Sequence, residues 1–285
     1  MPVLILLILL LILLALGVWS NDRQLNAMTN REIDALFASR KPAPDWTFTQ
    51  AEIAHLPEPV QTYLKRNVPE GQPAIYSVRL KQSGQMRLSP DQPWKPFRAE
   101  QYFTVDPCAF LWRVKSQFLP LIWVSGRDQY ARQQGDMLIK ILSTLTVARA
   151  SGPKTSVSAL IRDLAEMIWF PTAWVHNDRL RWEAVDATTA RAILHDHGVE
   201  ARVTFHFDAD GDLRELESNS RYQNETDAQP TRWWVTFGGY ETFHGVRIPA
   251  QAEVSWEPES GRYAWWRGTI TTIDYNIPAR YGNRI

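Results

Sequence analysis

The sequence predicts an α+β protein built on one large, curved antiparallel β-sheet. That sheet is half-barrel-like, with about 10–13 strands packed on a single amphipathic helix, and a transmembrane helix and short helices precede it. Three observations lead there. Residues 3–19 form an apolar run without a charged side chain. From Ala74 onward the hydrophobic pattern alternates with a period of two, as half-buried strands require. Only residues 156–169 (SVSALIRDLAEMIW) return to a helical period within that stretch.

The N-terminal run comes first. At about 1.5 Å per residue its 17 residues reach roughly 25 Å, close to the thickness of a hydrocarbon core. Trp19 closes it where an interfacial aromatic belongs, and Ser20, Asn21, Asp22 and Arg23 follow at once. A cleaved signal peptide is the competing reading, with Ala15-Leu16-Gly17 as its passable cleavage site. The run is longer than a usual signal core, however, and only Met1-Pro2 precedes it, so an uncleaved single-pass anchor over residues 1–20 is expected. Arg23, Arg31, Arg40 and Lys41 beyond the anchor favour a cytoplasmic C-terminal part, yet long domains translocate regardless of loop charge. Both sides of the membrane stay open.

Residues 21–72 read as a helical lead-in and linker. Thr29-Asn30 can cap a short helix through Ser39 with Ile33, Leu36 and Phe37 on its apolar edge, and Lys41-Pro42-Ala43-Pro44 forms a stiff spacer. Thr49-Gln50-Ala51-Glu52 fits a capping box opening a second helix, which Pro57 and Pro59 interrupt before residues 60–66 resume it. Residues 73–285 form the β-rich domain. Its strands include 76–80, 97–105, 110–115, 121–130, 137–148, 180–185, 201–207, 231–237, 246–256 and 263–275, with turns at Asp210-Gly211, Gly238-Gly239, His244-Gly245 and Ser260-Gly261. In the helix at 156–169, Val157, Leu160, Ile161, Leu164, Met167 and Ile168 share one face, while Arg162, Asp163 and Glu166 lie opposite. Thr155 or Ser156 can cap it and Pro171 stops it.

Composition narrows the function. Lys+Arg and Asp+Glu each number 31, which gives no net field to draw a polyanion, so nucleic acid is not an expected partner. The single cysteine, Cys108, cannot form an internal disulfide or a thiolate metal cluster. His195-Asp196-His197 would put two imidazoles on one strand face, but Gly198 makes the segment a hairpin tip and no third ligand is evident. Asp208-Ala209-Asp210-Gly211-Asp212 has a calcium-loop composition with its glycine at the wrong position, and reads as a solvated turn. No nucleophile elbow, P-loop, zincin or dinucleotide motif occurs, so neither cofactor nor metal is expected.

The chain carries 13 tryptophans, paired at 169/174, 233/234 and 265/266. Indole suits wet-edged apolar surfaces such as ligand cavities, and adjacent tryptophans on a strand put one ring on each face. The expected function is therefore non-enzymatic binding of an apolar ligand, a lipid or acyl chain, in a Trp-lined groove. Trp169, Trp174, Trp182, Trp233 and Trp256 would line or rim it, with Arg162 and Glu166 fixing the helix or contacting a head group. A hydrolase using Asp163 or Glu166 is the alternative, and a scaffold for protein partners a third.

A set of short motifs adds a resemblance. Leu56-Pro57-Glu58-Pro59-Val60 with Tyr63-Leu64, Gln82-Ser83-Gly84, Trp94-Lys95-Pro96-Phe97 and Gly245-Val246-Arg247-Ile248-Pro249 accompany an R-x-L-x-E-x-x-W-F-P-T run that starts at Arg162. Together, over about residues 50–276, they resemble a bacterial family known only as a domain of unknown function, whose members often carry membrane segments. The resemblance implies a bacterial inner-membrane location and supplies no catalytic residue. By fold analogy alone, the sheet-on-helix pattern is similar to the half-barrels of periplasmic lipoprotein carriers.

Overall fold

The computed structural model describes residues 2–282. Its first element, α1 (Pro2–Ala38), is one helix of 37 residues, where the sequence predicts an anchor and a separate short helix. Residues 20–29 contain neither proline nor glycine, and extending an existing helix costs far less than nucleating a new one. This helix is long and apolar enough to cross a membrane, and the apolar window is unburied. Its polar half docks on the sheet: Ile33, Leu36 and Phe37 pack against Tyr102, Ala109 and Leu111. The Phe37 and Tyr102 rings meet edge to face at 5.9 Å.

At Thr49 the capping-box bond forms, with the backbone N–H donating to the Glu52 carboxylate at 3.0 Å, but residues 50–55 make only turns. The helix proper is α2 (Glu58–Asn67), which carries proline in its first turn and buries Val60, Tyr63 and Leu64.

Thirteen strands follow: β1 (Ser77–Met86), β2 (Lys95–Thr104), β3 (Ala109–Leu119), β4 (Ile122–Ala131), β5 (Gln134–Ile141) and β6 (Leu145–Ser151) precede helix α3 (Pro153–Glu166). After it come β7 (Leu180–Ala184), β8 (Thr189–Asp196), β9 (Val199–Phe207), β10 (Leu213–Ser218), β11 (Arg232–Phe243), β12 (Val246–Glu257) and β13 (Tyr263–Tyr275). All belong to one antiparallel sheet in the order β6-β5-β4-β3-β2-β1-β13-β12-β11-β10-β9-β8-β7. Two meanders are thus joined where β13 pairs with β1, Leu80 opposite Ile273.

Helix α3 links the two edge strands and packs on both β5 and β9, the second strand from one edge and the third from the other. A flat sheet would hold those strands far apart, at about 4.8 Å per strand. The sheet therefore curls around α3, whose Leu160, Ile161 and Leu164 are fully buried in the main core.

Four further sequence expectations need correction. Gly238-Gly239 is not a turn but lies inside β11, where Gly239 (φ 57°) is skipped in the pairing with β12. Residues 137–148 are not one strand but the β5–β6 hairpin, reversed at Leu142 (φ 51°) and Ser143 (φ 56°). Neither residue is a glycine or asparagine, so the turn carries no sequence signal; Ser143 is held instead by its hydroxyl bonds to Asp22 (2.7 Å) and Ser125 (3.0 Å). Neither Thr155 nor Ser156 caps α3. The Glu225 carboxylate, remote in sequence, accepts the Thr155 N–H, and the Ser156 hydroxyl donates back to the Gly152 carbonyl at 2.8 Å. Lastly, Asp163 does not share the polar face of Arg162 and Glu166 but is 1% exposed. It lies about 60° around the helix from Leu160, toward the sheet.

Candidate functional site

Between α3 and the concave face of the sheet lies a cleft of about 950 Å³. Alternation supplies its walls: Val114, Val124 and Ile139 come from one meander, Val235, Phe237 and Val254 from the other. The floor is aromatic. Trp266 stacks on Phe97 (5.4 Å, 29°), and Trp112 meets Phe97 edge to face at 6.3 Å.

Arg87, Arg127, Arg162 and Arg221 all line the cleft, and the two beside α3, Arg162 and Arg221, are in different states. Arg162, on α3, is paired with two carboxylates: its guanidinium donates to Asp128 at 2.7 Å and to Glu166 at 2.9 Å. Gln101 donates to the other oxygen of Glu166 at 2.6 Å. Burial pushes the Glu166 carboxyl above its ordinary value, against the pull of Arg162. Arg221, in the loop after β10, makes no ion pair among the described residues. It lies over the rings of Trp233 (4.2 Å) and Trp256 (5.4 Å), and its Nε has no partner. Burial, with Arg162 adding repulsion, lowers its pKa to about 10, so it stays cationic at neutral pH. The indole N–H groups of Trp169, Trp233 and Trp265, all lining residues, are also unpartnered. Lys95 and Arg87 also line the cleft without a carboxylate, but each donates to backbone carbonyls. Among the described residues the site thus offers an apolar body, the Arg221 cation on its tryptophan faces and several free donors.

Of the residues singled out in the sequence, Trp169, Trp233, Trp256, Arg162 and Glu166 line this cleft. Trp174 and Trp182 do not. They belong to an aromatic cluster elsewhere in the core, where Trp174 meets Tyr63 at 5.3 Å, Trp182 at 5.1 Å and Phe205 at 5.5 Å. The sequence spacing missed Trp112, Trp265, Trp266 and Arg221 as lining residues. Strand parity allowed only one ring of an adjacent pair on the concave face, but a register shift opposite Val254–Ser255 leaves Trp265 unpaired and both Trp265 and Trp266 line the cleft. Arg221 sits in a polar run that nothing distinguishes.

Asp163 accepts the Cys108 thiol at 2.7 Å, while Tyr130 donates to Asp196 at 2.8 Å nearby. Asp163 and Glu166 therefore face different surroundings and form no acid–base pair in the cleft, and among the described residues no histidine lines it. His197 instead takes a left-handed conformation (φ 46°) at the β8–β9 turn, and among the described residues no metal-ligating group of three forms. Asp208 makes a turn, accepting the N–H of Asp210 at 3.0 Å and of Asp212 at 2.9 Å. The Asp212 carboxylate is taken by Arg247 (2.6 and 2.9 Å) and Arg66 (3.1 Å), which tie α2 to the sheet. A second, more polar depression of about 580 Å³ lies between the proline spacer and residues 172–179 and includes Asp106, His176 and Arg179.

The model of a family of unknown function, DUF6544, matches residues 46–268. The chain belongs to this family. The matched stretch takes in α2, α3 and the sheet into β13, so the whole cleft lies within the DUF6544 region. Among solved structures, a LolA superfamily protein from Nitrosomonas europaea is similar at 9% identity, with a TM-score of 0.42 over 76% of this chain and 91% of that one. An outer membrane lipoprotein-sorting protein domain from Vibrio parahaemolyticus is similar at 7% identity and a TM-score of 0.37, over 71% of this chain and 86% of that one. A β-barrel-like protein of unknown function from Brucella abortus gives 7% identity and a TM-score of 0.28, over 71% and 98%. No curated protein matches the chain.

Proposed function

We propose that this protein is a membrane-anchored binder of an amphipathic, lipid-like ligand, with the apolar body in the cleft and an anionic head at Arg221. The observation that carries this reading is the unpaired Arg221 guanidinium on two tryptophan faces beside an apolar cavity. A half-buried cation without a carboxylate is costly, and an anionic ligand removes that cost. The 950 Å³ volume lies at the upper end of the range for small-molecule sites, which suits an acyl chain. Each buried methylene adds about 0.8 kcal/mol, so even a medium-length chain offsets the cost of association. Carboxylate and phosphate heads present the same chemistry to Arg221. Helix α1 is read as the retained anchor because its apolar segment makes no contact that would bury it.

Native mass spectrometry of the full-length protein, extracted from its native membrane in mild detergent, tests the reading. A stoichiometric adduct is expected, weakened in Trp233→Ala, Trp256→Ala and Arg221→Gln; its mass separates fatty acid from phospholipid. An adduct-free spectrum across several mild detergents would sink the proposal.

A further inference from the structure

The mouth of the cleft is apolar and exposed. Leu119 (57% exposed), Leu121 (86%) and Ile122 (37%) stand at the tip of the β3–β4 hairpin, and Leu145 (63%) and Val147 (50%) follow the β5–β6 turn. Leu119, Ile122 and Val147 also line the cleft. Residues 116–126 and 141–148 contain no Asp, Glu, Lys or Arg, although tips exposed to water are ordinarily the most polar parts of a hairpin. Leu121 has φ 67°, a conformation for which glycine or asparagine is the unstrained choice after Pro120. A large apolar side chain thus occupies the most exposed position of a turn that favours a small or polar one. Patches of this kind mark a surface that meets something apolar.

Contacts with α1 fix where these tips stand. The Asn21 amide donates to Thr144 at 3.2 Å, the Ser143 hydroxyl donates to Asp22 at 2.7 Å, and Lys115 lies 3.3 Å from the same carboxylate. Asn21 and Asp22 are only two and three residues beyond Trp19, which ends the apolar run, so these bonds lie within about 5 Å of its boundary along the helix.

The direction of β3 extends the argument. Leu36 and Phe37 pack near Leu111, Asn30 accepts from Arg113 at 2.9 Å, and Asp22 meets Lys115, so moving toward the tip of β3 is moving toward the apolar end of α1. From Lys115 to Leu119 the strand advances about 13 Å, the length of about nine helical residues. That distance carries the tip past Trp19 and alongside the apolar run. Trp123 contributes at the same level: its indole N–H donates to Ser143 at 3.3 Å and Lys115 lies over its ring at 4.7 Å, while Arg23 lies over Trp19 at 4.1 Å. Two tryptophans, each with a cation on it, match the girdle chemistry of a membrane–water interface.

We propose that the β3–β4 and β5–β6 hairpin tips insert into the leaflet beside α1, so that the cleft opens onto acyl chains and its ligand passes laterally between bilayer and protein. This deepens the lipid-binding reading and rests on α1 being a retained anchor. The occupant of the apolar rim is the lipid surface, because the helix that fastens the rim is itself the segment that enters that surface.

Full-length protein in vesicles of phosphatidylcholine and phosphatidylglycerol tests this, with the buried Cys108 left in place. Leu121→Cys and Leu145→Cys, each adding one exposed cysteine, carry an environment-sensitive fluorophore, and lipids bearing a spin label on the acyl chain serve as quencher. Leu9→Cys reports the anchor, and Asp210→Cys reports the opposite end of the strands, where β9 turns into β10. Labels at 121, 145 and 9 should be blue-shifted and quenched at least threefold more than the label at 210. Water-like emission at 121 and 145 with quenching at 9 overturns the inference while leaving the anchor standing. Water-like emission at 9 as well removes the anchor and the inference with it. In Leu121→Asp/Leu145→Asp, exchange of bound lipid with vesicles should slow about tenfold at unchanged adduct stoichiometry; unchanged exchange would exclude lateral passage through the rim. An adduct-free native spectrum beside quenched rim labels would retire the ligand and keep the membrane docking.

Discussion

Gly84 of β1 and Gly268 of β13 face each other across the seam that joins the two meanders, and neither has room for a methyl group. A Cβ on Gly84 would fall 2.1 Å from the Arg267 carbonyl oxygen and 2.7 Å from the Gly268 Cα. A Cβ on Gly268 would fall 2.5 Å from the Trp266 ring, which folds down over the backbone to make the cleft floor.

The two glycines should accordingly differ in tolerance. Gly84→Ala collides with backbone and is expected to cost about 3 kcal/mol, at the upper end for an overpacked site. Gly268→Ala meets a side chain and should cost about 1–2 kcal/mol while tilting the Trp266 ring. Urea midpoints give the costs, and tryptophan emission reports the ring; equal midpoints would show that the seam has more slack than these distances allow.

Asp163 gives a pH dependence. Burial raises its pKa from 3.8 to about 7, the bond from Cys108 pulling the other way and Glu166 and Asp196 adding repulsion. Between those values the folded chain keeps a proton that the unfolded chain has released, so stability falls as pH rises from 4 to 7 and then levels off. About three units at 1.36 kcal/mol each bound the loss at about 4 kcal/mol. Asp163→Asn should lose much less stability between pH 4.5 and pH 7.5 than the parent; parallel curves would place the titration elsewhere.

Arg162 and Arg221 should respond in opposite directions. Arg162→Gln strips Asp128 and Glu166 of their partner in a buried setting and should cost about 3–5 kcal/mol. Arg221→Gln removes an unpaired cation and should leave the melting temperature equal or higher, while cutting retention of an anionic lipid about tenfold. A large loss of stability in Arg221→Gln would identify it as structural.

Tryptophans separate by location as well. Trp174→Ala opens a void among Tyr63, Phe205 and Trp182, for about 3–5 kcal/mol, with adduct stoichiometry preserved in the molecules that stay folded. Trp233→Ala opens onto an existing cavity, so it should cost less and weaken the adduct more. Thermal melts paired with native spectra decide this, and a reversed ranking would move the site to the aromatic cluster.

Much of this architecture is legible in residue order. Period-two alternation marked most strands, and the helical period at 156–169 singled out the element that crosses the sheet. What stayed hidden depends on contacts remote in sequence. The β5–β6 turn is built from Leu142 and Ser143 and held by Asp22, 121 residues away. Helix α3 is capped by Glu225 rather than by its own first residues. Likewise, five of the seven singled-out side chains line the cleft, yet no periodicity distinguishes Trp182 from Trp233: both sit on strands, and which neighbours surround each depends on how the sheet curls.

The seam between β1 and β13 also bears on how the chain matures. Val78 meets Tyr275, so the central pairing of the sheet closes across nearly the whole sheet domain, whereas every other pairing links strands adjacent in sequence. During synthesis the first meander can form early, but the β1 edge stays unpaired until β13 leaves the ribosome, a long-range closure of the slow kind. A chain halted before Tyr263 would expose β1 and β12 as bare edges, ready to pair with a neighbouring molecule. Completion of β13 thus covers the two central edges at once and leaves only β6 and β7 as the edges of the sheet.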